Sequence, residues 1–480
     1  MLPLNRIISL KVLFLLSLCY FCLISCSDDD VSDNPEADFS HFEFAYQIGN
    51  AIINPLEKTV SAEISTEGDI YSLTPTFVLS DGATAYIDDV MQISGQTAND
   101  FSKVVEYRIV SANMQITSNW KVTISQRYVD GGDEDLGTSI DVNSILPAGE
   151  FHITQNLKVG NNVFLELSPG TTLIFSPNTK LTLGKDATLL AYGTKERPIS
   201  FIAKDVDGPW SGIILTDADA VFEYCNFSYA GSGAPLLTLQ NSTANIKHCN
   251  ITNIANTGIS LDAKSKFAAF DYNTIDKCAE QQDGCYPIIL NSINSISAIG
   301  YSNSITTTKG IYIENSAATT NISINGLECP YIFQNDITAA VDKLTFFIHE
   351  GTTIVMNKGK KIELGINGDI RFEVAGTPAH PVSFSSATKK AGDWEGIQLG
   401  RNLLPNSGLT FCNIYYAGNG ANSGAIYCNA TDTSRLSLHN CAIAFTNSHG
   451  IYFTKYSDAK QGNVVFSNIP TQYSDVFYEE

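Results

Sequence analysis

From about residue 145 to its C-terminus the chain repeats itself, and this repetition restricts the fold more than any other feature of the sequence. Two long copies align, at about 149–275 and 336–470, with equivalent residues 181 to 187 positions apart. A shorter pattern of Gly, Ile, any residue and an apolar residue recurs at 212–215, 258–261, 310–313, 396–399 and 450–453. Each occurrence predicts a short strand whose alternate side chains face inward.

Asparagines that precede an apolar residue mark the length of one repeating unit. Asn226, Asn250 and Asn273 are separated by 24 and 23 residues. A unit of this length is too short for two strands and a crossover helix, but it suits one coil of three short strands. Asn tolerates the left-handed backbone of a bend, and its amide can bond to the Asn one coil away. We therefore expect these three residues to line up along one edge of a stack of coils.

The repeat resembles the right-handed parallel β-helix of the pectate-lyase-like superfamily, and the resemblance covers residues 145–480. It implies coils that pair their strands in parallel around one continuous apolar core. A leucine-rich solenoid has a similar period, but its Leu-x-x-Leu-x-Leu motif is missing, and the strand periodicity excludes helical solenoids. The expected fold class is therefore all-β.

Residues 38–127 contain short stretches of alternating apolar and polar residues between turns, which predict a β-sandwich. They resemble the Ig-like domains next to the anchor of Bacteroidetes surface lipoproteins, and residues 73–77, 80–83 and 100–102 carry this resemblance. The polar, glycine-containing run 130–135 has nothing to bury, so we expect a linker over 128–144. The prediction is an N-terminal Ig-like β-sandwich followed by a right-handed parallel β-helix.

Residues 1–25 have the pattern of an export signal, with two basic residues before an apolar run that ends in Leu-Ile-Ser before Cys26. This resembles the lipobox of bacterial lipoproteins, which implies cleavage before Cys26 and acylation of its thiol. The alternative is a plain secretory signal or a short membrane anchor, although about 20 apolar residues are needed to span a bilayer. We expect contact with the membrane through the lipid anchor only.

Residues 26–37 form a polar stretch that predicts a flexible tether. Its first residues, Ser-Asp-Asp-Asp after Cys26, resemble the acidic tag that sends Bacteroidetes lipoproteins to the outer face of the outer membrane. A merely solvated acidic tether is the alternative. The resemblance implies a lipid-anchored protein of the outer membrane that faces the cell exterior.

The formal net charge of −21 makes nucleic acid an unexpected partner, because a polyanion is repelled before contact. It also argues against acidic glycans unless a bound cation or a local basic patch overcomes the repulsion. No metal-binding or cofactor-binding motif is present, so we expect no metal site and no cofactor. Ca²⁺ at Asp133 and Asp135 is the alternative, although a solvated linker explains these residues better.

Catalysis of glycan cleavage needs a base with a matched pKa for a lyase, or a pair of carboxylates for a hydrolase. The best acidic cluster is Asp205 and Asp207, just before Trp210, and the second copy lacks its equivalent. An exposed acidic loop is the simpler interpretation. His248 and His439 lie near matching coils but one residue out of register, which argues against a shared catalytic role.

Four aromatic residues near strand ends are the candidates for ligand binding: Trp210, Trp394, Tyr229 and Tyr416. Exposed rings stack on the C–H faces of sugars, and neighbouring side chains such as Asp205 and Asp207 can take the hydroxyls. Because a Trp occurs in both copies, the alternative is a structural ring packed over a corner of the coil.

Eight cysteines follow the anchor, and two of them are close enough in sequence to predict a disulfide. Cys278 and Cys285 flank a polar loop. The others recur at matching repeat positions, where a small buried apolar residue is the expected role.

We therefore favour a non-enzymatic surface protein, an adhesin or accessory binder, whose partner is a polysaccharide or a host surface glycan or protein. This preference depends on fold resemblance and on the predicted address. The alternatives are a β-helix polysaccharide lyase or glycoside hydrolase, and a structural spacer.

Overall fold

The computed structural model describes residues 34–127, 134–280, 282–429 and 431–480. The predicted signal peptide, Cys26, the tether up to residue 33 and linker residues 128–133 lie outside the described residues. The chain divides into two compact units between Arg127 and Tyr128. Within the described residues, helix is confined to the short 3-10 segments Ile70–Ser72 and Ile293–Ala298. The predicted all-β class is confirmed.

The first unit is a β-sandwich of short strands, as predicted. One sheet pairs Phe39–Glu43 with Thr76–Leu79 in antiparallel fashion. The other contains the antiparallel hairpin of Gln47–Asn54 and Thr59–Ser65. Thr59–Ser65 runs parallel to Thr117–Arg127, and Thr117–Arg127 also pairs in antiparallel fashion with Val105–Val110. The strands of this sheet are Gln47–Asn54, Thr59–Ser65, Thr84–Ile87, Val90–Gln92, Val105–Val110 and Thr117–Arg127.

Aromatic side chains fill the space between these two sheets. Trp120 and Tyr107 are fully buried, and the ring of Phe39 meets both edge-on, at 5.3 and 5.4 Å between ring centres. Edge-on packing of this kind adds about 0.5–1.5 kcal/mol per pair to the burial of the rings. Alternation places these residues inward on each strand, which explains why the sequence pattern predicted a sandwich.

The second unit is a parallel β-solenoid, and in its first half each coil contributes one strand to each of three sheets, which we name faces 1, 2 and 3. Face 1 begins with Ser139–Ile140, Leu157–Val159, Lys180–Leu183, Gly212–Thr216, Leu237–Gln240, Ile259–Leu261 and Ile288–Leu290. Face 2 contains Ser144–Leu146, Phe164–Leu167, Thr188–Tyr192, Asp219–Glu223, Thr243–Lys247 and Lys266–Asp271. Face 3 contains Glu134–Asp135, Gly149–Ile153, Thr171–Phe175, Ile199–Ala203, Cys225–Ser228, Asn250–Ile254, Thr274–Cys278 and Ser304–Thr306.

The sheets change in the middle of the solenoid. Face 3 ends with Ser304–Thr306, whereas a new sheet, face 4, starts at Ala317–Ala318. Face 4 continues with Ile337–Ala339, Lys361–Leu364, Gly396–Leu399, Asn419–Cys428, Asn447–Phe453 and Val476–Tyr478. Face 1 runs on through Ile311–Ile313, Tyr331–Phe333, Thr353–Met356, Val382–Ser386 and Cys412–Tyr415.

The third strand of each later coil belongs to a set that we name face 5. It contains Ile322–Ile324, Leu344–His349, Ile370–Ala375 and Ser407–Thr410. The long strands Leu436–Ala444 and Lys460–Ser467 then serve faces 5 and 1 together. Faces 2 and 3 end at Asp271 and Thr306, and faces 4 and 5 begin at Ala317 and Ile322. These changes fall in the stretch 262–345, the part with the least regular sequence.

The core of the solenoid consists of the inward residues of successive strands, stacked coil over coil. Ile213, for example, lies between Leu181 and Leu237, and all three are at most 4% exposed. An inward residue is therefore covered mainly by the coils before and after it. Stability in such a fold is a sum of contacts between neighbouring coils, so no coil is stable alone.

The expected asparagine edge is correct for two of its three members. Asn226 and Asn250 are in register, and the Asn250 Nδ2 donates to the Asn226 Oδ1 at 2.9 Å. Asn250 then pairs with Thr274, so Asn273 lies one position out of register and is buried. Its Oδ1 accepts from the Cys249 backbone N–H, and its own N–H donates to the Asn303 Oδ1. The prediction that Asn273 is equivalent to Asn226 and Asn250 was wrong. The buried and exposed positions at this corner are neighbours in sequence, so a shift of one residue exchanges them.

The glycine of the Gly-Ile pattern fills a position where two coils approach closely. At Gly212 φ is +133°, and an added Cβ would lie 2.3 Å from the Pro235 carbonyl oxygen. Gly396 has φ +95° and the same relation to the Ala425 oxygen, at 2.5 Å. The pattern therefore reflects steric exclusion as well as the left-handed backbone.

Candidate functional site

The two tryptophans predicted to bind ligand are core residues. Trp210 and Trp394 are fully buried. The indole of Trp210 stacks on Phe175 at 4.0 Å between ring centres and donates to the Ser228 carbonyl at 3.0 Å. Trp394 donates to the Tyr415 carbonyl at 2.8 Å. The expectation that these rings offer a face to a sugar is corrected, because each closes the interior of its coil.

The two predicted tyrosines differ in their surroundings. Both are half-buried at left-handed corner positions, with φ +55° at Tyr229 and +63° at Tyr416, and both pack against the core. Tyr416 also stacks on Phe445 at 5.4 Å and lines a groove, whereas Tyr229 lines none of the grooves described below. Of the four predicted aromatic residues, Tyr416 is the one that the structure brings to a concave surface.

The predicted acidic pair forms an exposed turn. The Asp205 Oδ1 accepts the backbone N–H of Asp207 at 3.0 Å, and the Gly208 N–H donates to the Asp205 carbonyl. Asp135, a residue considered for Ca²⁺, instead accepts the Thr154 hydroxyl, and this bond is the largest cause that lowers the pKa of its carboxyl. Among the residues that the structure describes, no cluster of three His, Cys, Asp or Glu could hold a metal ion.

The predicted disulfide is not formed. Cys278 and Cys285 are both buried free thiols, and Cys285 Sγ donates to the Asn256 Oδ1 at 3.3 Å. Burial raises the pKa of the Cys278 thiol to about 12. Both thiols are members of the hydrophobic core cluster of the solenoid.

A groove with a volume of about 800 Å³, which we name the face groove, lies over the outer surface of face 1. Its floor consists of outward residues on successive strands, because Tyr312 pairs with Ile332, Ile332 with Val355 and Val355 with Ser385. Its lining residues are Tyr286, Thr308, Tyr312, Glu328, Pro330, Ile332, Gln334, Thr353, Val355, Asn357, Ser383, Ser385, Ser386, Ala387, Lys389, Tyr415 and Tyr416.

Aromatic pairs stand at both ends of the face groove. Tyr286 and Tyr312 stack with their ring centres 4.4 Å apart and their planes 16° apart. At the other end Tyr415 lies beside Tyr416, which stacks on Phe445. Desolvation by burial raises the pKa of both Tyr286 and Tyr312, so these phenols stay protonated at neutral pH. The groove therefore offers two aromatic surfaces with hydroxyl donors at their edges.

Uncharged polar side chains occupy the space between these ends. The Gln334 Oε1 accepts from the Tyr312 hydroxyl at 2.6 Å and from the Asn357 Nδ2 at 2.8 Å. Glu328 and Lys389 are the charged residues among the described lining residues. Amides and hydroxyls beside aromatic rings suit a ligand that combines apolar faces with many hydroxyl groups.

Sequence reasoning missed this groove because its two ends are more than 100 residues apart in sequence. One signal was present in the Gly-Ile pattern. Its third position faces outward, and at Gly310-Ile311-Tyr312-Ile313 that position holds a large aromatic residue. The Tyr286 and Tyr312 pair forms where face 3 ends and the connecting loops are long.

A second groove, of about 600 Å³, lies at the corner before the face 1 strands, and we name it the corner groove. Glu328 lines both grooves. The His349 Nε2 is 2.9 Å from the Ser323 hydroxyl, and desolvation by burial lowers the pKa of His349. The lining residues are Tyr301, Asn303, Asn325, Gly326, Leu327, Glu328, His349, Glu350, Gly351 and His380.

His248 is part of a ring stack. Its imidazole lies between Tyr224, at 4.5 Å, and Tyr272, at 4.8 Å, with the three planes nearly parallel. All three residues have a left-handed backbone, one on each successive coil. His248 therefore has a packing role in this stack.

The second unit therefore defines a parallel β-solenoid protein with an aromatic-ended groove, joined in sequence to a β-sandwich. Residues 39–124 match the family described as "SGBP, N-terminal", and residues 191–331 match "Right handed beta helix region". The two matches agree with the predicted order of an N-terminal β-domain followed by a right-handed parallel β-helix.

A solved structure described as a candidate glycoside hydrolase from Bacteroides thetaiotaomicron VPI-5482 is 27% identical over 20% of this chain. The match covers 26% of that protein, about a quarter of its length, and has a TM-score of 0.17. No curated protein matches the chain. Within residues 34–127, 134–280, 282–429 and 431–480, no helix has the length and apolar character needed to cross a bilayer.

Proposed function

We propose that this protein binds a polysaccharide in the face groove and does not cleave it. The observation that carries the proposal is the pair of aromatic ends, Tyr286 with Tyr312 and Tyr415 with Tyr416, separated by amide and hydroxyl side chains. The match to a glycan-binding family over residues 39–124 supports it. A glycan would lay sugar faces on the rings and exchange hydroxyl hydrogen bonds with the amides.

The spacing of the strands supports an extended ligand. Neighbouring strands lie about 4.8 Å apart, so the four steps from Tyr312 to Tyr415 span roughly 19 Å. Each step is comparable to the length of one pyranose unit. An extended glycan of about four sugars along the solenoid axis therefore fits between the two aromatic ends.

The test is a glycan array probed with the purified full chain and with the double variant Tyr312→Ala, Tyr416→Ala. We expect binding by the wild type, a strong loss of binding in the double variant, and no effect of Tyr456→Ala, an exposed ring outside the groove. Thermal melting of each protein separates lost binding from lost folding. Absence of wild-type binding to every glycan would overturn the proposal and favour the structural spacer.

A hydrolase is the second candidate function, because two carboxylates, Glu328 and Glu350, line the corner groove with His349. Glycoside hydrolysis uses two such carboxylates on opposite sides of the scissile bond. Reducing-end and unsaturated-product assays on the array hits test it, with Glu328→Gln and Glu350→Gln as variants. Product that disappears in both variants would replace the binding proposal with an enzymatic one.

We also propose that the chain is anchored by a lipid on Cys26 in the outer membrane and faces the cell exterior. The surface association of the SGBP family supports this address. Labelling with a fatty-acid analogue should require Cys26, so Cys26→Ala should abolish it. External protease should degrade the protein on intact cells, and protection from protease would contradict the outward orientation.

A further inference from the structure

The two grooves meet at one residue, Glu328. This side chain is exposed in the loop between face 5 strand Ile322–Ile324 and face 1 strand Tyr331–Phe333, and it accepts the Ser304 hydroxyl at 3.1 Å. The face groove continues from this loop over the face 1 strands, whereas the corner groove follows the loops that precede them. A ligand in the face groove therefore passes the opening of the corner groove at Glu328.

The corner groove has its own aromatic surface. Tyr301 is 75% exposed and lies one coil beyond Tyr272, because Ile299 pairs with Phe270. An exposed ring presents a flat apolar surface that can take a sugar face.

Two carboxylates are among the polar groups that line the corner groove. Glu328 and Glu350 carry carboxylates, and the Glu350 Oε2 already accepts the Thr377 hydroxyl at 2.8 Å. No Lys or Arg is among its described lining residues. Hydrogen bonds from hydroxyls to carboxylates are about twice as strong as neutral ones, whereas an anionic group would be repelled.

We infer that the glycan is branched, with its backbone in the face groove and an uncharged, hydroxyl-bearing side branch that enters the corner groove beside Glu328 and rests on Tyr301. This inference rests on the proposed function of the face groove. The corner groove then acts as the element that selects branched chains. Branches that carry a carboxylate or sulfate are disfavoured by the two glutamates.

The test compares linear and branched oligosaccharides with the same backbone, by isothermal titration calorimetry on the full chain. The probes are mannopentaose against galactosyl-mannopentaose, xylotetraose against arabinosyl-xylotetraose, and cellotetraose against a xylosyl-substituted cellotetraose. For the backbone that binds, we expect the branched member to bind about tenfold more tightly, because its branch makes additional contacts in the corner groove. Tyr301→Ala should remove this advantage, and Tyr456→Ala should not.

The outcomes separate the inference from the function on which it rests. Equal affinity for both members of the bound pair, unchanged by Tyr301→Ala, would overturn the branch inference and leave the face groove as a site for linear glycans. An affinity that falls equally for both members in Tyr301→Ala would also overturn it. Failure of the wild type to bind any of the six probes would count against both proposals.

Discussion

The hydroxyl of Tyr312 donates a 2.6 Å hydrogen bond to the side-chain oxygen of Gln334, which lies one coil further along the solenoid. Asn357, from the coil after that, donates to the same oxygen at 2.8 Å. One acceptor thus holds side chains from three coils in fixed orientations. A site ordered in this way before the ligand arrives has less conformational entropy to lose on binding.

We predict that Gln334→Ala weakens glycan binding by roughly tenfold, because the variant loses an acceptor for two hydrogen bonds worth about 1 kcal/mol each and releases the Tyr312 ring. Calorimetry with the strongest array hit measures the loss. Stability should change by less than about 1 kcal/mol, since water can replace the lost partner. Gln240→Ala is the matched control, because Gln240 also accepts a hydroxyl on face 1 but lies outside the groove. An equal loss in both variants would contradict the prediction.

We predict that Trp210→Ala lowers the free energy of unfolding by about 3–5 kcal/mol, because it removes a fully buried indole and leaves a cavity against Phe175. Urea denaturation followed by circular dichroism measures this change. Glycan affinity should be unaffected under conditions where the variant is folded. Trp210→Phe provides a milder variant if the first does not fold. Normal stability with lost binding would restore the ligand-binding role that we have corrected.

We predict that the free energy of unfolding falls as the pH rises above 9, partly through Cys428. Desolvation raises the pKa of this buried thiol from 9.0 to about 12. Above pH 9 the unfolded state loses the thiol proton while the folded state keeps it, so the stabilisation present below pH 9 is lost progressively up to about pH 12. At pH 10.5 the loss should be about 2 kcal/mol for this group.

The measurement for this prediction is the slope of unfolding free energy against pH between 9.5 and 11, in the wild type and in Cys428→Ala. The variant should show a slope that is shallower by about one proton, whatever its stability at pH 8. The other ionisable groups are the same in both proteins and act as an internal control. Identical slopes would show that Cys428 ionises equally in both states.

We predict that Gly396→Ala is more destabilising than Gly359→Ala, although both glycines have a left-handed backbone. A Cβ at Gly396 would lie 2.5 Å from the Ala425 carbonyl oxygen, whereas nothing lies within 4 Å of one at Gly359. The control variant should lose about 1–2 kcal/mol from its backbone conformation alone. Gly396→Ala should lose about 1–3 kcal/mol more from overpacking. Thermal melting of the two variants measures the difference. Equal losses of stability would mean that the coils move apart easily to accept the added Cβ.

The sequence predicted the architecture because a solenoid repeats its chemistry at every coil. The Gly-Ile pattern located strands of faces 1 and 4, and each of its glycines meets the next coil closely. The register of the corners was harder to predict. Asn250 and Asn273 are 23 residues apart, but one faces outward and the other inward, since a shift of one residue reverses the side of the strand.

The site could be predicted only in part, for a physical reason. Tyr416 was recognised as a candidate, whereas Tyr286 and Tyr312 were not, because they lie in the stretch where one sheet replaces another and the repeat is least regular. The tryptophans were the strongest aromatic signal in the sequence, but repetition marked them as parts of the coil. Two of the proposed binding residues, Tyr286 and Tyr312, thus stand where the repeat is broken.

Each coil adds the same height to the stack. The outward residues Tyr312, Ile332, Val355 and Ser385 are therefore evenly spaced along the solenoid axis. Gain or loss of a whole coil between the aromatic ends would move these ends apart or together by one strand spacing. Under the proposed function, duplication of a single short stretch of gene would therefore lengthen by about one sugar the glycan that fits between them.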